Sequence, residues 1–266
     1  MNKKLLKSLI VAGALASSAS AQAMNIGGIL INPGFHIDVA SLYENPITAS
    51  NPNLSGYGQV TQINGSANFC AGGLGTCELT YTFTGYTVTG IPTPTSVSFK
   101  GGVVKFYVGT SATSTMDFNP YTSASSAADN AAASNGLLWL TLTGHDNGGF
   151  TLQGTGTNIG SGGNDVGFGG GLLDVHLPGG GVANPYFDTN SQHDLIGGMA
   201  DFQFASSFGT GVVPHPAECK AGILTSCLPG SATLRGVAIP EPTSLALLGA
   251  GLLAAGIASR RRKQSK

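Results

Sequence analysis

Apolar and polar residues alternate with a period of two through much of this chain. In residues 78–84, Leu79, Tyr81 and Phe83 fall on one face and the threonines on the other. Val104, Phe106 and Val108 alternate with Lys105 and Tyr107. Leu138, Leu140 and Leu142 alternate with Trp139 and Thr141, and Phe202 and Phe204 with Asp201 and Gln203. Alternation of this kind, rich in Thr and aromatic residues, belongs to half-buried antiparallel strands. Clusters such as Asn147-Gly148-Gly149 mark turns between them, and no segment from Met24 to Gly236 has a strong helical period. The pattern predicts an all-β body over residues 24–236, an antiparallel two-sheet sandwich of the jelly-roll kind. Two stretches interrupt it. Residues 110–134 are rich in Ser, Thr and Ala, and 127–133 are predicted to wind one or two helical turns. Residues 208–230 hold Pro214-His215-Pro216 and two cysteines, which mark a tethered excursion.

The ends follow other patterns. Lys3, Lys4 and Lys7 precede a short apolar run over 9–16, and small residues follow up to Ala23. This is the layout of a secretory signal peptide over residues 1–23, with Ala21-x-Ala23 as the cleavage site for signal peptidase. At the other end, Ile239-Pro240-Glu241-Pro242 leads into a Gly/Ala/Leu run over 245–258, then Arg260, Arg261, Arg262 and Lys263. The run falls short of the roughly 20 residues that span a bilayer stably, which suits a temporary transmembrane anchor. The arginines hold its end in the cytoplasm and leave the body outside. Each proline fixes its own φ and drives the residue before it toward extended geometry, so the tripeptide stays out of the helix that follows.

Residues 239–263 resemble the PEP-CTERM sorting signal: a Pro-Glu-Pro motif, a Gly/Leu/Ala-rich helix and a terminal basic cluster, in that order. Ile239 stands where Val is more usual. The resemblance implies a sorting segment over 237–266 recognised by an exosortase, a membrane-embedded, transpeptidase-like cysteine enzyme that removes the helix. Pro240, Glu241 and Pro242 would be recognition residues. It further implies an inner-membrane-anchored intermediate that passes to the cell surface or outside. Proteins of this kind occur in Gram-negative bacteria that make exopolysaccharide, biofilm or flocs. Residues 70–81 and 139–145 also resemble flocculation-associated proteins of the family.

Charge sharpens this picture. Between Met24 and Ile239 only Lys100, Lys105, Lys220 and Arg235 face 12 acidic residues, so the mature body is strongly acidic although the whole chain has a formal net charge of −1. Such a body disfavours nucleic acid and anionic lipid and accommodates cations. Cys70 and Cys77, and Cys219 and Cys227, form two local pairs, and an even count in an exported chain favours the disulfides Cys70–Cys77 and Cys219–Cys227.

The chain lacks the G-x-S-x-G, H-E-x-x-H and P-loop patterns, and no catalytic residue is assigned. His36 with Asp38, and Asp174 with His176, each share a strand face opposite the apolar sets Ile37/Val39 and Leu173/Val175/Leu177, a face expected to meet solvent. His145-Asp146 and His193-Asp194 are adjacent pairs. A metal or acid/base site is the sharper reading of these pairs, and a wet polar sheet face the plainer one. Residues 160–168 resemble one imperfect copy of a calcium-binding Gly/Asp nonapeptide, which makes Asp146 and Asp165 candidate ligands of a structural Ca²⁺; no other cofactor is expected. The function expected is a non-enzymatic, structural or adhesive protein of biofilm or floc, with exopolysaccharide as a partner. The rivals are a carbohydrate-binding module displaying Tyr107 and Trp139, and a hydrolase built on the His/Asp pairs.

Overall fold

A computed structural model describes residues 23–160, 165–177, 179–209, 212–220, 227–240, 249, 251 and 252. Among them the strands run β1 (Met24–Ile26), β2 (Ile29–Ile31), β3 (Gly34–Glu44), β4 (Asn53–Ile63), β5 (Cys77–Thr93), β6 (Ser96–Thr110), β7 (Leu137–Gly144), β8 (Leu152–Thr157), β9 (Val166–Val175), β10 (Gln192–His193), β11 (Met199–Ala200), β12 (Phe202–Phe208) and β13 (Leu228–Ala238). Short helices α1 (Ser126–Ala132), α2 (Asn184–Phe187) and α3 (Pro216–Lys220) lie between them. The helical turns predicted over 127–133 are α1, whose first turn is capped by the Ser125 hydroxyl accepting from the Ala128 N–H.

The antiparallel strands predicted by alternation are present, but they form one closed sheet instead of two packed ones. The order β12-β13-β3-β4-β5-β6-β7-β9 returns to its start through the pairing of β9 with β12, and β8 bridges β6 and β9 beyond the end of β7. The sheet is therefore an eight-stranded barrel. Closure follows from the length and bend of β5 and β6. Gly85, Gly101 and Gly102 all sit at positive φ where these strands cross, and such kinks let a sheet curl until its edges meet. At Gly102 the requirement is double, since a Cβ there would also meet the Tyr86 ring at 2.1 Å. Alternation reports only which face is buried, and a barrel and a sandwich bury the same face.

The interior fills with Leu42, Val60, Leu79, Tyr81, Phe106, Leu140, Leu173, Phe202 and Leu234, among others. One end is plugged by the β1–β2 hairpin: Trp139 donates its indole N–H to the Ile26 carbonyl at 2.7 Å, and its ring packs 5.7 Å from that of Phe187. The chain leaves the barrel at this same end, where the Ile239 N–H bonds the Tyr186 carbonyl at 2.8 Å.

Three expectations about faces are corrected here. Trp139 is not a display residue; it is 1% exposed. The register of β6 on β7 steps from Phe106↔Leu140 to Tyr107↔Leu138, so Trp139 is the extra residue of a bulge and turns inward. His36 and Asp38 do not face solvent. They are buried, and it is Phe35 that lies exposed beside them. Leu177, expected with the apolar set of β9, lies beyond the strand and is exposed.

Most of the apolar run over 245–258 lies outside the described residues, as do Ala21, Glu241, Pro242, Arg260, Arg261 and Arg262. Among the described residues no helix is long and apolar enough to cross a membrane. Ala23 is exposed and Met24 opens β1 at once.

Candidate functional site

On the outer wall of the barrel, β8, β9 and β12 lie side by side. Outward positions alternate with the buried ones, which brings Gln153 and Thr155 of β8, Phe168 and Gly170 of β9, and Gln203 and Ala205 of β12 onto one surface. Together with Phe150, Asn147, His193 and Leu195 they line an open groove of about 500 Å³. The Phe168 ring is 69% exposed. Gly170 leaves the floor low, and a Cβ there would meet nothing closer than 3.5 Å. Among the described residues no Asp, Glu, Lys or Arg lines the groove, although the body as a whole is strongly acidic. An exposed ring flanked by amides and hydroxyls offers an apolar face together with donors and acceptors. Phe168 and the two glutamines were not legible in the sequence as a site, because Gly167-Phe168-Gly169 reads as a loop and only strand pairing sets it beside β12.

Above the groove a histidine is clasped. His145 Nδ1 lies 2.8 Å from Asp174 Oδ2 and Nε2 lies 3.2 Å from Asp194 Oδ2. Both ring nitrogens face acceptor-only groups, so the ring is doubly protonated when both bonds form. Burial pulls its pKa down, but the bonds and charges of Asp174 and Asp194 outweigh that and hold it above its ordinary value. Asp194 also accepts from the Ile196 and Gly198 N–H groups. Three of the expected His/Asp pairs thus contribute to one place, through partners other than their sequence neighbours: Asp146 instead accepts from the Gly149 N–H in its own turn. His176 is exposed, and His36 packs 5.3 Å from the Phe187 ring inside the plug. His36 Nε2 lies 2.7 Å from Asp38 Oδ1, close but off-line for a hydrogen bond. His36 and His176 therefore do not share a face.

A third cluster joins the two interrupting stretches. The carboxylate of Asp129 in α1, fully buried, accepts from the Tyr57 hydroxyl at 2.8 Å and from Ser123, and His215 Nε2 reaches it at 2.8 Å. Ser, His and Asp meet here, yet the same nitrogen faces both Ser123 and Asp129. A nucleophilic relay needs the two ring nitrogens to serve different partners, so this cluster is a clasp. Glu218 of α3 adds bonds to the Ser126 N–H and hydroxyl, which are the main reason its carboxyl sits below its ordinary pKa. The disulfide Cys219–Cys227 closes the excursion and Cys70–Cys77 closes the loop before β5, both as expected.

At the barrel end away from the plug, Glu44 and Asp165 line an otherwise mostly apolar cavity of about 50 Å³. Burial, and then the charge of Asp165, push the Glu44 carboxyl up to about 8. Asp146 and Asp165 flank opposite ends of β8, about 20 Å apart at the usual rise per residue. They cannot ligate one ion together. Tyr107 is half-buried on the outer face of β6.

Comparison with known families finds the PEP-CTERM protein-sorting motif at residues 238–263. The chain thus carries that sorting signal, and Pro240, Glu241, Pro242 and Arg260–Arg262 fall within it. It begins where β13 ends. No curated protein and no solved structure matches the chain, so the flocculation-associated resemblance rests on its two short stretches alone.

Proposed function

We propose, taking as premise a chain that ends in a PEP-CTERM signal and is therefore an exported, exosortase-processed protein, that its barrel is a non-enzymatic matrix module binding a neutral polysaccharide. The observation that carries this reading is the exposed Phe168 ring in a groove whose described lining holds no Asp, Glu, Lys or Arg, with Gln153 and Gln203 further along the same face. A sugar ring presents C–H faces that stack on an aromatic side chain and hydroxyls that exchange bonds with amides. An anionic polymer would meet the long-range repulsion of an acidic body; a neutral one does not. Tyr107 and Trp139 have no part in this version of carbohydrate binding. A role in cohesion of biofilm or floc follows if the polysaccharide is one the cell itself exports.

The test is binding of the secreted, processed protein to neutral and acidic exopolysaccharide preparations, by pull-down and calorimetry. Phe168→Ala removes the stacking face. Gly170→Leu fills the groove from a position with room for a side chain. Loss of neutral-glycan binding in both, with unchanged thermal unfolding, supports the assignment. Binding that survives both substitutions, or that prefers polyanions, overturns it.

A further inference from the structure

The β10–β11 hairpin forms one wall of the groove, which His193 and Leu195 help to line. Its base is fastened by Asp201, just past β11, whose buried carboxylate accepts from the Val175, Thr189 and Asn190 N–H groups at 2.6–2.7 Å. Among the described residues its tip is bonded to the barrel at two points only, both on the turn that follows β7. The Leu195 N–H donates to Asn147 Oδ1 at 2.9 Å, and Asp194 Oδ2 meets His145 Nε2 at 3.2 Å. Leu195 and Ile196 are exposed, so little apolar packing backs these two ties.

The second tie depends on a proton. His145 Nδ1 lies 2.8 and 3.0 Å from the two Asp174 oxygens, whereas Nε2 faces Asp194. A neutral imidazole carries one N–H. The shorter contact, offered two acceptor oxygens, keeps that hydrogen on Nδ1, and Nε2 then turns a lone pair toward the Asp194 carboxylate. Asp194 stays ionised throughout. Burial pushes its carboxyl up, but the bonds from His145 and from the Gly198, Ile196 and Gly197 N–H groups outweigh burial and hold it below its ordinary value. A charge-assisted bond therefore becomes a repulsive contact when the ring loses its second proton. The charges acting on the ring are Asp174 from β9 and Asp194 from the hairpin. Asp146, on the ring's own turn, is engaged by the Gly149 N–H. His176 and His193, the titratable neighbours of these acids in sequence, are exposed.

We propose that deprotonation of His145 releases the tip of the β10–β11 hairpin and takes one wall from the groove, so that the groove is complete at low pH and opens as pH rises. The Asp201 knot at the base acts as the hinge. The consequence for a neutral polysaccharide rests on the function proposed for the groove; the release of the tip does not.

The experiment follows amide exchange in the secreted, processed protein between about pH 5.5 and 9, a range that brackets histidine titration, as protection relative to the unstructured chain. An NMR titration of His145 runs in parallel. The Leu195 N–H is the reporter, because its acceptor sits on the barrel, whereas the Ile196 and Gly198 N–H groups bond Asp194 within the tip itself. Protection at Leu195 falls by about tenfold or more as His145 titrates, the effect of losing a bond to a charged group, while β5 and β6 keep theirs. Asp194→Asn abolishes the fall, since its amide donates to the neutral Nε2. His145→Gln makes protection independent of pH, and Asp146→Asn behaves as the parent. Affinity for a neutral exopolysaccharide preparation weakens over the same pH range. Flat Leu195 protection through the His145 titration overturns the release, and so does an Asp194→Asn protein with the parent's pH dependence. Glycan binding that ignores pH while the tip lets go overturns its control of the groove. Absence of glycan binding at every pH strikes the function proposed for the groove, and the Leu195 amide still decides the release.

Discussion

His215 and Asp129 meet at 2.8 Å although 86 residues separate them. The bond joins α1 to the segment entering α3 and, through Asp129, reaches Tyr57 of β4. Asp129 is the acceptor for three donors at once. Replacing it with Ala takes a buried acceptor from Tyr57, Ser123 and His215 and costs about 2–4 kcal/mol by urea unfolding. His215→Ala, which leaves the other two donors satisfied, costs about 1 kcal/mol and speeds proteolysis near residues 212–220.

The disulfides close short loops, their cysteines seven and eight positions apart in sequence. Each is worth about 2–3 kcal/mol by restricting the unfolded chain. Cys219→Ser with Cys227→Ser lowers stability by that amount, read from denaturant midpoints. Groove binding is untouched, because α3 docks on α1 and not on β9.

His145 gives the chain a pH dependence with a definite sign. Its folded pKa is raised. The stability it confers is complete below the unfolded value of about 6.5 and is lost as pH rises through the folded value. NMR titration of the ring finds a midpoint above the ordinary one. Asp174→Asn lowers that midpoint and weakens the tie between β9 and the turn at Asp194.

Glu78 behaves alike for another reason. Burial raises its carboxyl to about 7 against the opposing bonds from the Phe118 and Asp117 N–H groups. A raised carboxyl favours the fold at low pH, so its contribution declines from about pH 4.5 to 7 and is flat above. Glu78→Gln keeps an acceptor oxygen for both N–H groups and loses that decline, as denaturant unfolding at pH 5 and pH 8 will read.

Intact mass of the secreted form ends before Arg260, and the Pro240→Ala, Pro242→Ala double variant retains its basic tail and stays with the membrane fraction.

Strand positions were legible because Leu79, Tyr81 and Phe83 lie buried on one face of β5 as the alternation predicts, although Glu78 and Thr80 on the other face are covered as well. Closure was not, because it depends on which strands pair across the chain: β9 meets β12 only after the excursions between them are placed. Trp139 was misread for a local reason. A bulge shifts its face by one position, and period two cannot reveal an added residue. The polarity of His36 and Asp38 pointed outward in the sequence, whereas the barrel buries both, His36 against Phe187. The sorting signal was legible in full, since its parts are contiguous and need no fold. The groove was legible only in pieces, its residues coming from three strands and the turns that flank them.

The pairing of the last strand has a consequence for closure. β13 is the last strand of the barrel in chain order, and it pairs with both β12 and β3. The barrel therefore cannot close until the whole chain ahead of the sorting signal is available, and that signal begins where closure is completed.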